Sequence, residues 1–352
     1  MNATNLAVVL HGPEDMRLEE KEMLEPAGNE VLLKMGSVGI CGSDLKYWKY
    51  AKCGRFNMKH PMVIGHEGSG TVISCGPQVQ CLQPGDRVAI EPGVPCRQCS
   101  ICRSGRYNLC SHMRFCATPP VDGNLCQFYK HPEDFCFKLP TNVSLNQGAL
   151  IEPLAVAVYA CERGNVGLSS NVLICGAGAI GLLVLMTAKS MGAANIIITD
   201  ISEERLALAK SLGATHTINM INFQERSMEE VGETLKNLCS EIDATIECSG
   251  VDSSVSLGIH STQPGGCLVM VGRGSMEPTV PLVKAATYEV DIKGVFRYAN
   301  CYPKAIALVS SGSITPESTI THTFQLEESE KAFQCADTRT TGAVKVMIQC
   351  NT

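Results

Sequence analysis

Apolar and polar positions alternate along the chain in three stretches of different rhythm. Over residues 1–150, short β-branched runs are broken repeatedly by Gly and Pro, and 31–35, 71–74 and 87–90 read as strands. Pro61, Pro84, Pro92 and Pro95 mark the loops between such runs, the pattern of an irregular β-rich domain. From about residue 170 the rhythm changes to strand then helix, repeated. An apolar strand over 171–175 precedes a mostly apolar helix over 179–191 and a β-branched strand over 195–200. Ser202 is placed to cap a helix over 203–212, with Glu203 and Glu204 in its first turn and Gly213 just past its end. Further strands are expected at 217–219, 243–248, 266–271 and 291–295, with helices around 227–240 and 253–262. Such alternation builds a parallel sheet covered by helices on both faces, so the fold class is α/β with a separate β-rich domain. After about residue 295 the pattern is mixed again.

At 352 residues the chain exceeds what one core usually supports, and two domains are expected. A net charge of −6 without long blocks of like charge argues against a nucleic-acid or anionic-membrane surface. Residues 164–188 carry no charge, but Gly176, Gly178 and Gly181 interrupt them, which fits a strand, a turn and a buried helix better than a membrane span. The N-terminus lacks the basic and apolar segments of a secretory signal. Nineteen cysteines, an odd number, then read as reduced thiols in a cytoplasmic protein.

Two motifs carry chemistry on spacing alone. Cys96, Cys99, Cys102 and Cys110 follow the pattern C-x2-C-x2-C-x7-C, and four thiolates at that density suit a closed, tetrahedral, structural zinc. Gly176-Ala177-Gly178-Ala179-Ile180-Gly181 is a G-x-G-x-x-G run between a predicted strand and a predicted helix, where a dinucleotide pyrophosphate is held. Asp200 ends the next strand, placed for the adenosine ribose hydroxyls, and would face the 2′-phosphate of NADP as a like charge. NAD is therefore the expected cofactor, although Arg205 lies close enough to receive such a phosphate.

A third group is sparser. Cys41-Gly42-Ser43-Asp44, Gly65-His66-Glu67 and Ile151-Glu152-Pro153 contribute a thiol, an imidazole and carboxylates that can make a zinc site with an open position. Singly, each has an ordinary reading: Cys41 a buried thiol, His66 a core histidine, Glu67 a solvated turn residue. Together with the other two motifs, they give a chain that resembles the zinc-containing medium-chain dehydrogenase/reductases over nearly its whole length. The shared features are Gly65-His66-Glu67-x2-Gly70-x5-Gly76-x2-Val79, Gly85-Asp86-Arg87-Val88, the four-cysteine lobe and the glycine run. Within that family the stretches 39–48 (GICGSDLKYW), 115–124 (FCATPPVDGN), 149–154 (ALIEPL) and 291–298 (DIKGVFRY) are similar to the polyol (sorbitol) dehydrogenase branch.

The resemblance implies a GroES-like catalytic domain over 1–153 and 295–352 and a Rossmann domain over 154–294. It implies two zinc ions per chain. Cys41, His66 and Glu67 would hold the catalytic one, with Glu152 reaching it through water or by exchange. Tyr47, Phe115, Thr118, Glu152, Arg297 and Tyr298 would line a polyol pocket. Ile180, Val271, Gly272, Arg273, Val295, Phe296 and Arg297 would touch the cofactor. The implied reaction is reversible NAD-dependent oxidation of a polyol such as sorbitol at C2 to the ketose, fructose, with Ser43 relaying the proton and a homotetramer as the assembly. Lys46 stands where many relatives carry a relay histidine, and Ala179 replaces a common proline. Mammalian members of the branch lack the four-cysteine lobe, so it says nothing about substrate. A sister alcohol or threonine dehydrogenase, and a catalytically silent protein on this fold, are the alternatives. Glu152 with Arg297 and Tyr298 favours polyols, and retention of Cys41, Ser43, His66, Glu67 and Glu152 disfavours silence.

Overall fold

The computed structural model describes residues 4–23, 25–239, 241–338 and 342–351. The chain divides into two compact units, Met1–Glu152 with Tyr302–Thr352, and Pro153–Cys301.

In the first unit the central strand is Glu30–Gly39, flanked by Glu67–Cys75 on one side and Lys345–Gln349 on the other. The sheet continues outward through Arg87–Ile90 and Cys136–Lys138 on the first side and Ile320–Gln325 on the second. A smaller sheet joins Thr4–Gly12, Asp15–Glu22 and Met62–Val63. Leu33, Met35, Ile64, Val72, Val88, Ile90, Phe333 and Ile348 share one core. The strands predicted at 31–35, 71–74 and 87–90 all lie within observed strands. The N-terminal hairpin, the helix Gly42–Tyr50 and the two C-terminal strands were not legible, because each is short or mixes polar and apolar positions without a clean period.

The second unit is a six-stranded parallel sheet. Its spatial order is His216–Asn219, Asn195–Asp200, Asn171–Cys175, Ile242–Glu247, Thr262–Met270, Asp291–Gly294. Numbered by sequence this is 3-2-1-4-5-6, the doubly wound order, with its switch point between Asn171–Cys175 and Ile242–Glu247. The central strands are buried on both faces, which explains their unbroken apolar runs. The helix Ala179–Ser190 is buried from Gly181 to Ala188, and this accounts for the uncharged stretch around it. No helix among the described residues is long and apolar enough to cross a membrane. No disulfide joins any of the nineteen cysteines.

Two boundaries need correction. The strand expected at 266–271 spans Thr262–Met270 and begins at an irregular register opposite Ile242, so its start lacks a clean apolar signal. The domain boundary expected at residue 295 falls inside the second unit. Beyond the sheet edge the Val295 N–H still bonds to the Met270 carbonyl at 3.0 Å, and the chain stays with this unit through Cys301.

Candidate active site

Cys41 follows the end of the central strand of the first unit and caps the helix Gly42–Tyr50. Asp44, in that helix's first turn, accepts the Cys41 backbone N–H through Oδ2 at 3.0 Å. Its other oxygen lies 3.2 Å from His66 Nδ1, so Nδ1–H donates to the carboxylate and the Nε2 lone pair is left to bind a metal. Glu67 opens the neighbouring strand directly opposite Gly39. The Cys41 thiol, the His66 imidazole and the Glu67 carboxylate thus converge, each offering one donor atom within 4.8 Å of the others.

This donor set fits zinc, since a soft sulfur, a nitrogen and an oxygen match its usual ligands. The electrostatics agree. Burial opposes charge on His66, but the Asp44 carboxylate and the Cys41 sulfur together raise its pKa well above the ordinary value. The same carboxylate, bonded at Nδ1, turns the other ring nitrogen toward the donor group. Ser43 Oγ donates to Cys41 Sγ at 3.3 Å, which sets its hydroxyl beside the donor group. Phe115 is buried with its ring centroid 5.7 Å from that of His66, and Tyr47 is buried on the Gly42–Tyr50 helix. Thr118 follows closely, its N–H bonded to the Phe115 carbonyl at 3.1 Å. Glu152, buried in the first turn of the helix Ile151–Arg163, lies outside the three-donor group.

Two residues of this site were given no role from the sequence: Asp44, quoted only as part of the Cys41 segment, and Lys345. Asp44 had a weak signal, its position three residues after Cys41 matching the carboxylate of a capping box. Lys345 is 3% exposed, and its Nζ donates to both Glu67 oxygens at 2.8 and 2.6 Å and to the Ile40 carbonyl at 3.1 Å. Its signal was weak, a lone lysine opening the apolar strand Lys345–Gln349, since a lysine is buried only when it is paired.

The four-cysteine lobe is equally well defined. Cys99 and Cys102 sulfurs are 3.4 Å apart, Cys96 and Cys102 3.9 Å, and Cys99 and Cys110 4.0 Å. Four sulfurs at the usual zinc–sulfur distance form a tetrahedron with edges of about 3.8 Å, so these thiols fit a closed zinc cage. The thiols of the lobe titrate together: backbone N–H groups of Gln98 and Cys99 pull Cys96 down to about 6, while burial and the neighbouring sulfurs push Cys102 up to about 12. Tyr107, within the lobe, donates its hydroxyl to the buried carboxylate of Glu91 at 2.7 Å.

In the second unit the strand Asn171–Cys175 ends at Gly176, whose φ of +100° turns the chain toward the helix Ala179–Ser190. A side chain at Gly181 would overlap the Gly176 carbonyl oxygen, so the third glycine is required by packing. Asp200 accepts N–H groups from Ala177 at 2.6 Å, Ile201 at 2.8 Å and Ser202 at 2.9 Å, which fixes its carboxylate beside the glycine turn. Ile180 lies in the first turn of the helix, and Arg205 in the first turn of the helix Glu203–Leu212. The Val271 and Gly272 N–H groups bond to the Glu247 carbonyl, both at 2.9 Å. Arg273 and Arg297 both place guanidinium groups over the Phe296 ring, at 5.3 and 4.8 Å, while Tyr298 is buried.

Two family profiles match the chain, the alcohol dehydrogenase GroES-like domain over residues 27–141 and the zinc-binding dehydrogenase domain over 179–311. Sorbitol dehydrogenase of Bos taurus is 52% identical over 348 residues, covering 99% of this chain and 96% of that protein. Sorbitol dehydrogenase of Homo sapiens is 50% identical over 348 residues, with the same coverage. Among solved structures, an Escherichia coli oxidoreductase of unknown specificity superposes with a TM-score of 0.93 at 34% identity, covering 99% of this chain and 100% of its own. An Escherichia coli alcohol dehydrogenase complexed with NADH superposes with a TM-score of 0.90 at 28% identity, with the same coverage. The chain belongs to the zinc-containing medium-chain dehydrogenase/reductase family, in its sorbitol dehydrogenase branch.

Proposed function

We propose that this chain is an NAD-dependent zinc polyol dehydrogenase that oxidises a sorbitol-like polyol at C2 to the ketose and reduces the ketose in reverse. The observation that carries the reading is the convergence of Cys41, His66 and Glu67 in a dehydrogenase fold. Zinc held by those residues would supply Lewis-acid polarisation of the substrate hydroxyl. The protein's own groups do the rest. Asp44 holds the His66 ring in the tautomer and orientation needed for binding. The Ser43 hydroxyl, beside the Cys41 sulfur, is placed to take the substrate proton and pass it toward solvent, with Lys46 one turn further along the same helix. Tyr47 and Phe115 wall the site with apolar surface that excludes water. Glu152 provides a second carboxylate for a zinc-bound water or for exchange with Glu67. Thr118, Arg297 and Tyr298 are the further polyol-binding residues that the family resemblance carries.

NAD rather than NADP follows from Asp200, whose carboxylate is fixed by three N–H groups at the ribose position, where a 2′-phosphate would meet it as a like charge. Ile180, Val271, Gly272, Arg273, Val295 and Phe296 contact the cofactor in this reading, and Cys96, Cys99, Cys102 and Cys110 hold the second, structural zinc. A cytoplasmic homotetramer is the form the family resemblance carries, which sedimentation velocity will test.

Steady-state kinetics over a panel of polyols and secondary alcohols, with NAD⁺ and NADP⁺ in parallel, tests the function. Polyol oxidation with NAD⁺ should dominate, and Cys41→Ala should abolish it. A preference for simple secondary alcohols or threonine would assign a sister activity, and undiminished turnover by Cys41→Ala would remove the zinc mechanism.

A further inference from the structure

We infer that Lys345 is a positioning residue that keeps Glu67 a labile metal ligand, and so sets how readily that carboxylate gives way to substrate, water or Glu152. Lys345 can play this part only if Cys41, His66 and Glu67 hold the zinc, as proposed above. An ammonium group has three N–H donors, and all three of those on Lys345 are committed. Two reach the two oxygens of Glu67 and the third reaches the Ile40 carbonyl, next to Cys41. One buried cation therefore touches one metal ligand on both oxygens and the backbone beside another, from a strand 278 residues further along the chain.

This arrangement has two consequences. The first is competition. A metal ion at the Cys41–His66–Glu67 group must share Glu67 with a cation already bonded to both oxygens, and the two cations repel across a buried site. Glu67 is then a weaker ligand than its distance alone implies. The second is charge balance. Lys345 is buried among the charges of Glu67, Cys41 and Glu152. A divalent ion with one thiolate and one carboxylate is already neutral, so a second nearby carboxylate leaves a buried excess negative charge. The Asp44 carboxylate behind His66 adds to that excess; Lys345 offsets one unit of it, which favours keeping both Glu67 and Glu152 beside one ion. Either carboxylate can then bind while the other waits.

The test uses purified holoenzyme as wild type, K345M and K345R. Zinc per chain is measured first, then the rate at which the catalytic zinc passes to a chromophoric chelator, with the four-cysteine zinc as internal reference. K345M should carry two zinc ions and release the catalytic one at least about tenfold more slowly, because Glu67 no longer shares its charge. K345R, which keeps the charge, should release it within about threefold of the wild-type rate. Cobalt(II) in the catalytic site should show visible bands moved by K345M and restored by K345R. A lysine that served only to stabilise the fold would lower the unfolding temperature in both variants and move neither readout. Two zinc ions in K345M, with release as fast as wild type or faster, would overturn the proposal. A single zinc in the wild type would instead overturn the metal-site assignment, and the role of Lys345 with it. Should K345M not accumulate as folded protein, K345Q removes the charge while keeping a donor, and the same slowing is expected.

Discussion

At Gly39 a single missing side chain lets Glu67 reach the metal position. Gly39 pairs with Glu67 across the sheet, and a Cβ there would run into Glu67 Oε2. Gly39→Ala should therefore push the carboxylate away from Cys41 and His66. Elemental analysis should show zinc falling from two per chain to one, with activity down on the order of a hundredfold while the four-cysteine site stays filled. Two zinc ions in a fully active Gly39→Ala variant would show that Glu67 is not held in this position. Asp44 acts at the same scale by a different means. With Asp44→Asn the His66 ring loses its anionic partner and its fixed tautomer, and zinc affinity should weaken by roughly 10–100-fold. Competition with a chelator measures this directly, and unchanged affinity would mean that packing against Phe115 alone orients the ring.

At the scale of elements, the two zinc sites differ in how the chain builds them. Cys96, Cys99, Cys102 and Cys110 lie on one lobe, with its own short helix Ser100–Arg103, so their spacing displayed the site in the sequence. Cys41, His66 and Glu67 come from the end of one strand and the start of its neighbour, and only the pairing of Gly39 with Glu67 brings them together. No local period encodes that pairing, and Lys345 enters from a strand at the other end of the chain. The strand–turn–helix around Gly176–Gly181 was legible because its strand, turn and helix are consecutive and each follows a local rule. The same separation predicts independence. Cys99→Ser should remove one zinc and lower the unfolding temperature, yet leave the absorption of cobalt at Cys41 and His66 unaltered. A change in that spectrum would show that the lobe shapes the catalytic site.

For the molecule as a whole, two buried groups that meet at one carbonyl contribute to the pH dependence of stability. Burial pushes the Glu91 carboxyl up to about 7, although the Tyr107 hydroxyl donates to it. Burial pushes the His131 imidazole down to about 4, and its Nε2–H donates to the Glu91 carbonyl at 2.8 Å. Their signs are opposite. Glu91 binds a proton more tightly folded than unfolded, so its contribution is full below its ordinary value of 4.5 and is lost as pH rises through 7. His131 binds a proton less tightly folded, so its contribution is full above its ordinary value of 6.5 and is lost as pH falls toward 4. Between pH 5 and 6.5 the two slopes largely cancel, and only a variant separates them. Glu91→Gln keeps a partner for Tyr107 and removes the acid's slope. Relative to wild type it should gain stability from pH 5 to pH 8, by at most about 3 kcal/mol for a shift of that size. Urea unfolding midpoints at the two pH values, with zinc held constant, give the difference. A Glu91→Gln variant that loses ground at pH 8 would mean that Glu91 is an ionised anchor for the Tyr107 hydroxyl. The lobe would then be tied to the sheet by charge, and the tie would strengthen with rising pH.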